Sequence, residues 1–309
     1  MFNAYVLLIL TTMIYAGNLI VGKFVTNTIP AFNIAFLRLV IALLFLLPLG
    51  FREWKNHLEL WKREWKAIFG LSLTGIALFN ILVYFSLHHT TSINAGIIEG
   101  TTPIFSILLG FIFLKETFNN VQIIGVVLSF IGVIWVITKG AMEHLISFSF
   151  NLGDITMFLA IIDWAVYSIF VKLYQKRFPL YGSLTLMMLI AVLFSFPFAA
   201  LEWEQMTHVD WRLSTVLGLL YLGIFPSVLA LIFWNKAVSE IGPARSSVFL
   251  NLMPVFTTIG AIIFLGESFT VIQGIGGLMV LLGVFLTSQV KIPKNSTSDR
   301  YSSKKTVQD

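Results

Sequence analysis

The sequence predicts an all-α membrane protein with ten transmembrane helices, arranged as two inverted five-helix repeats with both termini cytoplasmic. Three observations predict it. Hydrophobic residues make up 57% of the 309 and charged residues only 11%, too little polarity to clothe a water-soluble surface. Apolar runs of about 20 residues, the length that crosses a ~30 Å hydrocarbon layer, recur ten times along the chain. The chain also matches itself at a displacement near 150 residues.

The apolar runs lie near 4–22, 31–50, 67–86, 93–114, 121–138, 153–171, 181–200, 214–235, 246–265 and 271–290. Strands alternating apolar and polar residues are absent, which argues against a membrane barrel. The first run starts almost at Met1, with no basic leader and no small-residue cleavage pattern, and reads as a retained helix rather than a signal peptide. Residues 51–66 place Trp54, Trp61 and Trp65 among five Lys and Arg residues, as expected of a connector whose indoles sit at headgroup depth. The outer loops are short apart from 139–152 and 201–213. The stretch 291–309 is rich in Ser, Lys and Thr without apolar periodicity and is expected to be a disordered cytoplasmic tail. There is no cysteine, so disulfides, thiolate metal sites and cysteine nucleophiles are excluded.

The self-match rests on residues that apolar sequence does not supply by chance. Lys23, Pro30 and Pro48 fall on Lys172, Pro179 and Pro197; Pro103, Leu114, Glu116, Phe118, Gln122, Gly125 and Gly132 fall on Pro254, Leu265, Glu267, Phe269, Gln273, Gly276 and Gly283. The repeats are read as 1–138 and 153–290, joined by an external linker over 139–152. Five spans is an odd number, so the second repeat enters the bilayer from the opposite side. Orientation follows from the cations: with the N-terminus inside, Lys23, Lys139 and Arg212 lie outside, Arg38 lies within a span, and the other sixteen of the twenty Lys and Arg are cytoplasmic. The net charge of +5 is then a topology signal with an affinity for anionic lipid. No aromatic and basic interleaving points to nucleic acid.

Pro103 and Pro254 interrupt the fourth and ninth spans at equivalent places, freeing the carbonyls of Glu99 and Leu250. Paired breaks of this kind mark the binding and gating region of a transporter, although a kink that only shapes packing is an equal alternative. Gly125 and Gly132, repeated as Gly276 and Gly283, sit seven residues apart and are expected to let helices approach closely, as are Gly96 and Gly100 around Glu99.

Arg38, Glu99 and Asp163 lie deep in spans, where a charge costs at least about 2.5–3.5 kcal/mol, so each is expected to face the interior. Their repeat equivalents are Met187, Leu250 and Ile14; the polar equipment was not duplicated with the scaffold. Arg38 either pairs with Glu99 or Asp163 or binds a substrate carboxylate. Glu99, and less directly Asp163, is a candidate proton carrier. Trp164 and Tyr167 could line the same cavity or simply pack. Asn18, Asn80, Tyr84, Asn94 and Asn251 could bridge helices or bond a ligand.

These residues resemble the drug/metabolite transporter superfamily, in particular its ten-helix EamA type, over about residues 4–290. The likeness rests on Tyr15-Ala-Gly17-Asn18 followed by Lys23, on Arg38, on the run from Pro103 through Leu114-Lys-Glu116 to Gln122, Gly125 and Gly132, and on its second copy. That copy holds Gly153-Asp154, Trp164-Ala-Val-Tyr167, Gly242-Pro243, Pro254, Leu265-Gly-Glu267, Gln273, Gly276 and Gly283. The resemblance implies ten helices around a central cavity with alternating access. Tyr15 stands where tryptophan is commoner, and Glu99 where a small or apolar residue is usual. The expected function is secondary transport of a small metabolite in the bacterial cytoplasmic (plasma) membrane. Efflux of amino acids or related solutes is the leading form; a proton-coupled uptake carrier or a lipid-linked-sugar flippase is the alternative, and a sensor or scaffold the reading from another class. A homo-oligomer is compatible with the sequence. No cofactor or metal is expected: His88-His89 lacks zinc spacing, no Gly-rich phosphate loop with Lys is present, and no constellation fits an enzyme.

Overall fold

The computed structural model describes residues 3–114, 120–138, 140 and 151–288. The expectations for Glu116 and Phe118, for most of the 139–152 linker and for the 291–309 tail fall outside the described residues. Among the described residues all regular structure is helical. Eight helices among the described residues are long and apolar enough to cross a membrane: α1 (Ala4–Thr26), α2 (Ala31–Asn56), α3 (Trp65–His89), α4 (Ser92–Phe113), α6 (Leu152–Arg177), α7 (Leu180–Leu201), α8 (Leu213–Ile241) and α9 (Arg245–Leu265). The fifth and tenth predicted spans form α5 (Asn120–Ile137) and α10 (Val271–Ser288), of 18 residues each. At 1.5 Å per residue each is about 27 Å long, just under the hydrocarbon thickness.

The starts of the helices follow local chemistry. Asn3 caps α1, its side chain accepting from the Tyr5 N–H at 3.2 Å, and Asn151 caps α6 through the Gly153 N–H at 2.9 Å. Pro30 and Pro179 stand just before α2 and α7, where a fixed φ and a missing N–H do no harm.

Helices that the repeat alignment makes equivalent lie side by side and antiparallel. Along α2 and α7, Glu202 Oε2 accepts from the backbone N–H of Phe32 at 2.8 Å and of Asn33 at 3.3 Å, while at the other end Glu53 Oε2 accepts from Gly182 N–H at 2.8 Å. Each helix thus supplies the carboxylate that satisfies the orphan donors at its neighbour's N-terminus, and the two glutamates are themselves 149 residues apart. Along α5 and α10 the glycines meet as expected: a Cβ on Gly132 would approach the Gly276 carbonyl oxygen to 2.8 Å, and one on Gly283 the Gly125 carbonyl oxygen to 2.5 Å. Ser129 closes this seam by donating to the Val280 carbonyl at 3.1 Å. In α4 and α9, Gly96 faces Thr257 and Gly100 faces Pro254.

The interior is filled by fully buried residues such as Leu8, Leu19, Ile34, Leu39, Tyr84, Tyr167 and Trp234, whereas Leu44, Leu193, Ile124, Ile263 and Phe264 face outward, as a surface solvated by lipid allows. The connector after α2 carries a short helix, Leu58–Arg63. Trp65 is exposed there, whereas Trp61 is buried, packed on the Phe178 ring with its indole N–H on the Trp54 carbonyl at 2.8 Å; it fastens the connector to the α6–α7 turn.

Candidate functional site

Two helix interruptions shape the centre of the molecule. In α3, Thr74 is extended and Gly75 has φ +64°, a conformation that side chains oppose. A Cβ at Gly75 would also lie 2.1 Å from Cγ of Tyr167. Asp163 of α6 accepts from the Gly75 N–H at 2.9 Å and so caps the resumed half of α3. In α8 the irregular turn is Phe225–Ala230, 151 residues further on. Pro226 cannot bond the Leu222 carbonyl four residues back; the Ser227 hydroxyl donates to it instead, at 2.7 Å.

That substitution fixes Ser227 as an acceptor for Arg38. The buried guanidinium donates from Nε to Ser227 Oγ at 2.8 Å and from Nη1 to Asn18 Oδ1 at 2.9 Å and to the Tyr84 hydroxyl, which in turn donates to Asn18 Oδ1 at 2.8 Å. The ion pair with Glu99 or Asp163 does not form: the ion pairs among the described residues, Lys62–Glu59, Arg63–Glu64, Arg177–Glu64 and Arg212–Asp210, do not include Arg38. Arg38 is held by neutral groups, so its charge is not cancelled locally. Nη2 donates to none of the described residues.

Arg38 borders a central cavity of about 30 Å³ that it shares with Tyr15, Asn18, Phe79, Asn80, Glu99 and Trp164 of the expected or neighbouring positions, with Gly75, Ile76 and Met188, and with Pro226, Ser227 and Leu231 of α8. Around it, buried polar atoms lack hydrogen-bond partners: the Tyr15 hydroxyl, Asn80 Oδ1 and Glu99 Oε2. Aromatic rings close one side, with Trp164 centred 4.7 Å from Phe79, 5.6 Å from Tyr15 and 5.6 Å from Trp234. A space of this size holds about two waters, far below the ~300 Å³ at which ligand pockets begin. The space as it stands does not admit a drug-sized molecule.

The structure therefore brings Asn18, Arg38, Asn80, Glu99 and Trp164 to one cavity, with Tyr84 bonded directly behind it. It does not bring the rest. Asp163 caps α3, and Tyr167 donates to Asn235 Oδ1 at 2.8 Å. Asn94 sits at the start of α4, where its Oδ1 accepts from Gln273 at 2.8 Å. Asn251 lies on the 3₁₀ turn Val248–Leu252 that precedes Pro254, outside the cavity lining. At both prolines the freed carbonyl is recovered, Glu99 by the Thr102 hydroxyl at 2.6 Å and Leu250 by the Met253 N–H. Gly75, Pro226, Ser227 and Met188 are lining residues that the sequence reading passed over. Gly75 and Pro226 carried a usable signal: they stand 151 residues apart, as the other repeated breakers do.

No group of three or more His, Asp or Glu that could hold a metal ion occurs among the described residues. The model of the EamA-like transporter family matches residues 2–138 and again 151–289. An uncharacterized transporter of Archaeoglobus fulgidus is 33% identical over 290 residues, covering 93% of this chain and 97% of its own. The uncharacterized transporter YetK of Bacillus subtilis is 30% identical over 288 residues, covering 92% and 86%. YyaM, another uncharacterized transporter of Bacillus subtilis, is 30% identical over 231 residues, covering 74% and 75%. A solved crystal structure shares the fold, with a TM-score of 0.63 at 16% identity over 92% of this chain and 96% of its own. The all-helical membrane architecture and the twofold family match lead to one conclusion: this chain is a membrane transporter, not an enzyme, and belongs to the EamA-like transporter family.

Proposed function

We propose that this protein is a secondary transporter that exports a small amino-acid-like solute by alternating access. Its ten helices cross the cytoplasmic membrane as two inverted five-helix halves, 1–138 and 153–290, with both termini inside. The antiparallel seams α2/α7, α4/α9 and α5/α10 support the inversion. The distribution of cations supports the orientation.

One observation carries the choice of solute. Arg38 is buried without a carboxylate partner, and Nη2 stays uncommitted beside a cavity that also contains the partnerless Glu99 oxygen. A buried cation held only by neutral acceptors favours an anionic guest. A solute carboxylate supplies that anion, and its ammonium is complementary to Glu99. The ring faces of Tyr15, Phe79 and Trp164 would receive an apolar side chain. Glu99, with an oxygen that no donor reaches, is also the group best placed to exchange a proton with the solute.

Counterflow in proteoliposomes against a panel of amino acids and their decarboxylated and N-acylated analogues tests the reading. Flux restricted to zwitterions supports it. Equal flux of amines lacking the carboxylate contradicts the role of Arg38. Direction is read separately by overexpression against toxic amino-acid analogues: resistance marks export, sensitivity marks uptake. Glu99→Gln is expected to abolish pH-driven flux while leaving folded protein in the membrane; unchanged pH dependence rejects proton coupling.

A further inference from the structure

We infer that the polar cluster at the α3–α4 turn is a gate of the transport path, with Asp154 as its bolt. Four segments meet there. From the end of α1, Lys23 Nζ donates to the Leu87 and Thr90 carbonyls, both at 2.7 Å. From the start of α6, Asp154 is fully buried, accepting from the Thr90 hydroxyl at 2.5 Å with both carboxylate oxygens 3.5 Å from Asn94 Nδ2. Asn94 in turn accepts from Gln273 of α10 at 2.8 Å. Glu267, in the α9–α10 loop, accepts from the N–H groups of Ser92 and Ile93 at 2.9 and 3.2 Å. The approach is close as well as polar, since a Cβ on Gly153 would stand 2.8 Å from the Ser86 carbonyl oxygen.

Among the described residues, the opposite end of the molecule repeats only part of this cluster. The lysine contact is duplicated there, Lys172 Nζ reaching the Ser239 carbonyl at 3.4 Å, and Ser239 follows Thr90 by the same 149 residues. The carboxylate is not duplicated: 149 to 151 positions before Asp154 stand Asn3, Ala4 and Tyr5, and Asn94 corresponds to Arg245, which is exposed. Tyr5 is also exposed, tilted against the Phe249 ring at 5.8 Å. A hydrogen-bonded carboxylate that joins α3, α4 and α6 must lose its partners when these helices separate, so it biases the carrier toward the conformation closed at this end, the outer one in the proposed orientation. The gate rests on the alternating-access reading, and its test separates the two.

Because the chain has no native cysteine, Met188→Cys places a single thiol reporter in the cavity lining. Its reaction with a membrane-impermeant maleimide is followed in right-side-out and inside-out vesicles, alone and combined with Asp154→Ala, Asp154→Asn or Asn94→Ala, each checked for a monodisperse folded peak. Asp154→Ala is expected to raise labelling from the outer face about 5-fold or more and to lower it from the inner face, with Asp154→Asn and Asn94→Ala intermediate. If Asp154→Ala fails to fold, Asn94→Ala alone decides. Unchanged outer labelling in the folded variants overturns the gate while leaving the carrier standing. A reporter that reacts from neither face in any variant contradicts alternating access, and the gate with it.

Discussion

The seams of this molecule and its centre obey different rules. Along α2/α7 and α5/α10, what one half does the other returns: Glu53 caps α7 as Glu202 caps α2, and Gly125 meets Gly283 as Gly132 meets Gly276. The charged groups of the interior are not returned: Arg38 is matched by Met187, Glu99 by Leu250, and Asp163, which caps α3, by Ile14. Packing and capping depend on backbone geometry, which a duplicated helix inherits whole. Recognition depends on single side chains around one shared space, where two copies of Arg38 would repel and two of Glu99 would double a desolvation cost. Symmetry is therefore expected of the frame and asymmetry of the chemistry.

Substitutions of four kinds break or sharpen that contrast. The largest effect is expected at the glycine seam. Gly283→Leu drives a side chain into the Gly125 carbonyl and into both the hydroxyl and the backbone of Ser129, and should cost more than the about 1–3 kcal/mol of ordinary overpacking. Yield of monodisperse protein and the thermal midpoint in detergent measure it, and Gly132→Leu should do equal harm.

Next is Arg38→Met, which gives the first half the residue of the second. Flux is expected to fall more than about tenfold, as when one partner of a buried charged contact is removed. The folded yield should change far less than at the seam, and Arg38→Lys should recover part of the flux. Gly75→Ala follows. The left-handed backbone alone costs about 1–2 kcal/mol, and the Tyr167 ring adds to it, so flux should drop at constant solute selectivity. A selectivity change there would mean that the α3 break touches solute directly. The smallest effect is expected at the caps: Glu53→Ala and Glu202→Ala should each lower stability by about 0.5–2 kcal/mol, and by similar amounts. A large difference between the two would break the symmetry claimed for the seam.

How much of this was readable beforehand follows the same division. Pro30, Pro48, Gly125 and Gly132 announced the frame because proline and glycine are rare enough in apolar runs for their recurrence to mean something. Glu53 and Glu202 recur equally well but lie among interfacial charges, where a glutamate needs no explanation, and their capping role emerges only once α2 and α7 are seen antiparallel. Arg38 was legible as an interior charge. Its partners were not, because Asn18, Tyr84 and Ser227 are neutral and come from three other helices, and the orientation of Ser227 follows from the carbonyl that Pro226 releases. Asn94 looked like a cavity residue on composition alone; its place at the first turn of α4 sets it beside Asp154 and Gln273 instead.

The most direct measurement of the central claim uses the exposed pair Lys55 and Glu204, which stand 149 residues apart at opposite ends of the α2/α7 seam. Lys55→Cys and Glu204→Cys, introduced singly, are treated with an impermeant thiol reagent in right-side-out vesicles. Two inverted halves with cytoplasmic termini predict that Glu204→Cys is labelled and Lys55→Cys is protected until the vesicles are opened. Labelling of both, or of neither, from the same face would contradict the antiparallel carrier.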